Sequence, residues 1–310
     1  MLSPADLLRL PYTPDLTEGG IAYALLSLPY KTPSYDGLRR TVSQGIVELA
    51  FRRYLSQQNI PFEITTATPF TEPERFDVSL GGHRCDVKSQ LISSRRKISE
   101  LRHDPVSLLK TSALISSEPA VGDGFLDHDL LLFSFLFGLT AVSSSDLKKS
   151  IAANQPNYLI HVLPPKWRNP QHWNPLGRLT LKSESSSELK VEISGQDQSR
   201  GKLTRWATLP PKTRITLNEP FYSVTSLHVK NIPSARVGIH SPNIREAYLI
   251  PPLEWKNIWV YGMDIILAGY LTRGELRQRA RTSKSLPIAE LNPLPELFNR
   301  VKEWEAGRRR

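Results

Sequence analysis

Cysteine is almost missing from this chain: Cys85 is the only one in 310 residues. An internal disulfide is therefore excluded, and so is a zinc site built from several cysteines. A reducing, cytoplasmic setting is the simple expectation. Long apolar runs are missing too. The most apolar stretch, LLLFSFLFGL at 130–139, is too short for the roughly 20 residues that a membrane-spanning helix takes. It reads instead as a strand buried on both faces, and no membrane partner is expected. The opening MLSPADLLRLPYTPDLTEGG carries acids and prolines rather than a basic region followed by an apolar one, so no signal peptide is expected. The histidines at 83, 103, 128, 161, 172, 228 and 240 are scattered without a His-x-His or HExxH pair. They read as surface or core residues, with His83 solvent-facing beside a turn. GGHRC lacks the pattern of a phosphate loop, and no GxGxxG opens a helix. There is no internal repeat and no low-complexity tract.

What is present is positive charge. Lysine plus arginine outnumber aspartate plus glutamate by 40 to 30, a net +10, and the isoelectric point is near 9.7. Such a surface favours polyanions, nucleic acid above all. The length allows one large domain or two moderate ones.

Along the chain, residues 1–35 read as a helical leader broken by prolines. An α/β core follows over 36–165, a β-rich accessory region over 166–240, and a return to the core with a C-terminal helix over 241–310. The core opens with a long helix from about Leu38 to Gln58. On a helical wheel Ile46, Val47, Ala50, Phe51, Tyr54 and Leu55 form one apolar arc, and Glu48 sits at its edge. FEITTAT, a hairpin at 75–90, the basic helical stretch SRRKISELRHDPVSLLK, the apolar strand, DLKKSIAANQ and NYLIHVL follow. That order predicts an α/β fold with a central mixed sheet flanked by helices. GRLTLKSE, ELKVEIS, TRITL and SVTSLHV give the accessory region its all-β signature. There, tryptophans 167, 173 and 206 interleave with arginines and lysines, a mixture that suits either base stacking or a β core.

The hairpin RFDVSLGGHRCDVKSQ carries the chemistry. With Gly81 and Gly82 at the centre of a tight turn, Leu80 pairs with His83, Ser79 with Arg84, Val78 with Cys85 and Asp77 with Asp86. Alternation puts Phe76, Val78, Leu80, Cys85 and Val87 on a core face, and Asp77, Asp86, Lys88 and Gln90 on the other. Like charges directly opposed across strands destabilise a sheet, so Asp77 facing Asp86 calls for a compensating cation. A plainer reading stays beside this one: a solvated hairpin face on which Asp86 contacts Lys88, while Glu48 pairs with Arg52 one helical turn away. DGFLDHD at 123–129 reads as a turn, with a peripheral metal contact as the other possibility.

Glu48 in SQGIVELAFRRYL, Asp77 in RFDV, and Asp86 with Lys88 in CDVKSQ resemble the PD-(D/E)xK nuclease superfamily. Residues 40–140, and the closing strand and helix IILAGYLTRGEL, carry the resemblance, with Phe76 where the pattern commonly has proline. It implies a restriction-endonuclease-like core and a metal-dependent nuclease, a DNA endonuclease first of all. It also implies Mg²⁺, with Mn²⁺ as a substitute, held by Asp77, Asp86, the backbone carbonyl of Val87 and Glu48. Lys88 would orient and help deprotonate the attacking water, and Gln90 would contact phosphate or water. Just past the hairpin, Arg95, Arg96, Lys97 and Arg102 read either as a grip on backbone phosphates of double-stranded DNA or as a solvated helix face. A homodimer would supply the two sites that cutting both strands takes, although no interface is legible in the sequence. Two other functions remain open: a catalytically inactive nucleic-acid-binding protein on the same scaffold, and an interaction protein working through its β region.

Overall fold

A computed structural model of the chain describes residues 1–30, 34–64, 78–114, 126–280 and 285–308, and is a mixed α/β protein. The chain divides into two compact units: residues 1–21, 40–139 and 260–310, and residues 22–39 and 140–259.

The first unit is built on a five-stranded mixed sheet. Its strands are β1 (Leu8–Leu10), β2 (Val78–Leu80), β3 (His83–Ile92), β5 (Leu130–Thr140) and β15 (Val260–Thr272), in the order β1-β15-β5-β3-β2. A small antiparallel pair, β4 (Ser112–Leu114) with β16 (Ser285–Pro287), lies beside it. Before the hairpin come α1 (Pro14–Ser27) and the 23-residue α2 (Tyr35–Gln57). On α2 the predicted arc is buried at Ile46, Val47, Ala50, Phe51 and Leu55, each large side chain contributing about 1.5–3 kcal/mol. Gly20 of α1 lets the two helices close up, since a Cβ there would stand 2.5 Å from the Val42 carbonyl oxygen.

β3 and β5 run parallel, in register from Cys85 with Leu130 to Ile92 with Phe137. Parallel neighbours need a crossover, and α3 (Arg95–His103) and α4 (Val106–Leu109) supply it, broken at Asp104 because Pro105 disfavours a helical residue before it. Leu130 to Gly138 are buried without a break, which explains the continuous apolar run. Leu131, Phe133, Phe135 and Phe137 form one cluster with Ile92, with Ile98 and Leu101 of α3, and with Leu108 and Leu109 of α4. After β15 come α7 (Arg273–Ala280) and α8 (Leu294–Arg308).

The second unit contains α5 (Ser144–Ala152), the one-turn α6 (Pro165–Arg168) and two antiparallel sheets. One has the order β14-β6-β11-β8-β9, from β6 (Leu159–Val162), β8 (Leu189–Gln196), β9 (Lys202–Leu209), β11 (Ser223–Val229) and β14 (Lys256–Asn257). The other, β10-β7-β12-β13, uses β7 (Leu179–Ser183), β10 (Arg214–Leu217), β12 (Val237–Ser241) and β13 (Ile244–Ile250). NYLIHVL, placed by the sequence reading in the α/β order, becomes β6 here because it pairs with β11 and β14. Trp167, Trp255 and Trp259 are buried, whereas Trp206 is 53% exposed. Among the described residues no helix is long and apolar enough to cross a membrane.

Candidate active site on the glycine-turned hairpin

The hairpin forms in the predicted register, with Leu80 on His83, Ser79 on Arg84 and Val78 on Cys85. Gly81 and Gly82 take φ of 59° and 87°, the left-handed values that a two-residue turn demands and that glycine adopts without steric cost. Trp304 of α8 covers this turn, so a Cβ on Gly81 would lie 2.7 Å from its ring. His83, expected to face solvent, is half-buried between Trp304, ring centroids 4.1 Å apart, and the edge of His128, at 4.8 Å. Burial first, and His128 second, lower the pKa of His83.

The polar face of β3 carries Asp86, Lys88 and Gln90 as read from the alternation. Register with β5 sets them beside Leu131, Phe133 and Phe135, on the face where the α3–α4 cluster packs. Lys88 Nζ lies 2.5 Å from Asp86 Oδ2, the lysine side chain 46% exposed and the aspartate 14%. Cys85 and Val87 point the other way and are fully buried. Asp77 lies outside the described residues, and with it the opposition of Asp77 to Asp86.

Glu48 is buried on α2 and ion-paired with Arg52, one turn on. Both pairings of the plainer reading, Asp86 with Lys88 and Glu48 with Arg52, are therefore present, although Asp86 is not a solvated carboxylate. α2 reaches β3 through Gln44, four residues before Glu48 and so on the same helical face. Its side-chain amide donates to the Val87 carbonyl and accepts from the Ser89 N–H at 3.1 Å. A primary amide presents the same donor and acceptor as a peptide unit. Gln44 thus stands in for a strand neighbour where, among the described residues, the β2–β3 ladder has stopped. The Val87 carbonyl, expected as a metal ligand, accepts this bond. The sequence reading missed Gln44; its i, i+4 relation to Glu48 is the signal that could have found it.

The basic residues divide. Arg95, Arg96 and Lys97 are exposed on the first turn of α3, which Ser94 caps. Arg102 is committed to Asp264 of β15, Nη2 at 2.5 Å and Nε at 2.7 Å from one carboxylate oxygen. In DGFLDHD, Asp129 is buried and is a staple rather than a turn residue. Its carboxylate accepts from the backbone N–H groups of Arg84 (3.2 Å) and Leu126 (2.8 Å), and its carbonyl from that of Arg273 (2.8 Å). Asp127 pairs with Arg277, and Asp123 lies outside the described residues. Among the described residues no group of three or more His, Cys, Asp or Glu side chains is gathered as a metal site.

No protein-family model matches the chain, and no curated protein and no solved structure is significantly similar to it.

Proposed function

We propose that this protein is a metal-dependent nuclease with a restriction-endonuclease-like core, acting as an endonuclease on DNA. The observation that carries the reading is the Asp86–Lys88 pair on β3, 2.5 Å apart, on a strand tied by Gln44 to the helix that bears Glu48. The order of long helix, glycine-turned hairpin, basic helix and parallel buried strand supports it further.

The donor set fits a hard divalent cation. The Asp86 and Glu48 carboxylates offer oxygen only, as does the lone pair of the Val87 carbonyl that Gln44 does not occupy, and Mg²⁺ takes one or two protein carboxylates while keeping waters and phosphate oxygens. When bound, such an ion would polarise a phosphoryl oxygen and make its water more acidic. The chain's own groups do the rest. Lys88, with its ammonium in reach of solvent, holds negative charge that builds on the phosphate and orients the attacking water. Asp86 fixes that ammonium. Arg95, Arg96 and Lys97 attract and position the backbone.

The test is incubation of supercoiled plasmid and of single-stranded DNA with Mg²⁺ or Mn²⁺, comparing the wild type with Lys88→Ala and Asp86→Ala. Each variant should lose about 100-fold or more in rate, the usual scale for a positioned acid–base or charge-stabilising group. Identical behaviour of all three proteins, including no cleavage by any, sinks the catalytic reading. One observation favours a second function: both carboxylates are already paired within their own elements, as they would be in an inactive nucleic-acid-binding scaffold. Salt-sensitive DNA binding without cleavage would identify that case.

A further inference from the structure

The outer face of β8, β9 and β11 carries a second feature that the hairpin does not use. Register places Glu192 opposite Trp206 and His228, and Lys190 opposite Thr208. Lys190, Trp206, Ala207, Thr208 and Lys230 line an open depression of about 350 Å³. Trp206 is 53% exposed and meets the His228 imidazole edge-on, ring centroids 5.9 Å apart at 74°. His228 is itself fixed, stacked on Tyr158 at 3.6 Å and donating from Nδ1 to the Leu159 carbonyl at 2.9 Å. Trp206 is thus an exposed aromatic plate set against a fixed neighbour, a different object from the buried Trp167.

Lys190 and Lys230 are exposed beside it, and neither is within ion-pair distance of a carboxylate among the described residues. Lys202 is exposed on the same strand as Trp206. The one acid of the face, Glu192, is half-buried with its pKa raised by desolvation. β9 is an edge strand, so the plate is open along one side.

We infer that this face binds single-stranded nucleic acid, one base stacking on Trp206 while Lys190 and Lys230 hold the flanking phosphates. The chemistry selects this ligand: every unpaired base offers a π-face, and cations on either side match a chain of phosphates. A duplex keeps its base faces hidden in its own stack. An acidic peptide would use the lysines but has no need of an aromatic plate. The inference stands apart from catalysis, because it uses only residues of the second unit.

The experiment is fluorescence anisotropy of labelled oligothymidylate of about 12 nucleotides with the full-length protein in EDTA. Trp206→Ala should weaken binding by about tenfold or more, the worth of one stacked base, and Trp206→Phe should restore it to within about threefold. Replacing Lys190 and Lys230 together by Gln should lower the slope of log K against log salt by about 1.4, two contacts at about 0.7 each. Binding unchanged in Trp206→Ala, equal affinity for a duplex of the same length, or equal displacement by polyglutamate would each overturn the assignment. Mg²⁺-dependent plasmid cleavage by the same variants reads the nuclease proposal separately. Cleavage with a Trp206-independent oligonucleotide affinity overturns this inference alone, and Trp206-dependent binding without cleavage overturns only the other.

Discussion

Gln44→Leu removes the amide that α2 lays against β3 and keeps most of its volume. Two backbone groups then lose their partner: the carbonyl of Val87, a residue with no exposure, and the Ser89 N–H, which now donates at 3.1 Å. An orphaned buried group costs about 1–3 kcal/mol. Some water entry and the added apolar surface offset part of the sum, leaving about 2–3 kcal/mol. Because the loss is local, the assay is amide hydrogen exchange at Ser89, where that range means exchange about 30- to 150-fold faster. Gln44→Glu sharpens the test. Its carboxylate still accepts from Ser89 but sets a second acceptor against the Val87 carbonyl, and only the protonated acid can donate there. The introduced carboxyl therefore has its folded pKa raised above about 4.3. The stability it confers is fully present below the unfolded pKa and is lost as pH rises through the folded one. Ser89 exchange within about twofold of the wild type in Gln44→Leu would refute the reasoning, because a bridged strand edge must open faster once its bridge is gone.

Three further outcomes follow from side chains in both units. His228 is buried with its pKa lowered from 6.5 to about 4 by desolvation, so the unfolded chain binds the extra proton. Stability should fall with pH below about 6.5, by roughly 2 kcal/mol at pH 5, and melts of His228→Gln should show a shallower acid limb. Gly81→Ala must hold φ near 59° and push its Cβ against Trp304; a loss of about 2–3 kcal/mol is expected. Part of it should be recovered in a Trp304→Ala background, so a cycle without coupling denies the contact. Asp129→Ala removes the carboxylate that accepts from the Arg84 and Leu126 N–H groups and should cost about 2–4 kcal/mol in urea unfolding; a loss below about 0.5 kcal/mol, the scale of a plain surface substitution, would deny its role as a staple.

Much of this fold is legible because local signals and burial agree. The arc on α2, the two-glycine turn and the apolar run at 130–139 each carry a periodicity that packing then rewards. NYLIHVL is different: alternation identifies a strand but not its partner, and Leu159 to Val162 could join either sheet until β11 claims them. The site divides in the same way. That Asp86, Lys88 and Gln90 share a face follows from the pleat alone. That Phe133 and Phe135 share it with them depends on the parallel pairing with β5, a contact between segments some 40 residues apart in the sequence. Arg102 reads as a phosphate contact because its partner, Asp264, lies on a strand 162 positions away. His83 reads as exposed because Trp304 comes from the far end of the chain.

The intrastrand pair also decides which variant reports cleanly on chemistry. Alternate residues of a strand share a face, so Asp86 and Lys88 meet at 2.5 Å without any tertiary constraint, and Lys88 is 46% exposed. A pair whose cation is half in solvent contributes about 0–1 kcal/mol, and truncating Lys88 uncovers the 14%-exposed Asp86 to water in its place. Glu48 is the opposite case. It is 7% exposed, and removing it breaks a largely buried ion pair with the Arg52 guanidinium, itself 23% exposed, at a cost on the order of 3 kcal/mol. Lys88→Ala should therefore unfold within about 1 kcal/mol of the wild type while Glu48→Ala falls well below it. An activity lost in the first variant is then a loss of chemistry, and one lost in the second is confounded with folding unless Glu48→Gln reproduces it. A drop of more than about 1 kcal/mol in Lys88→Ala would mean that the pair is buried in solution and part of the fold's support.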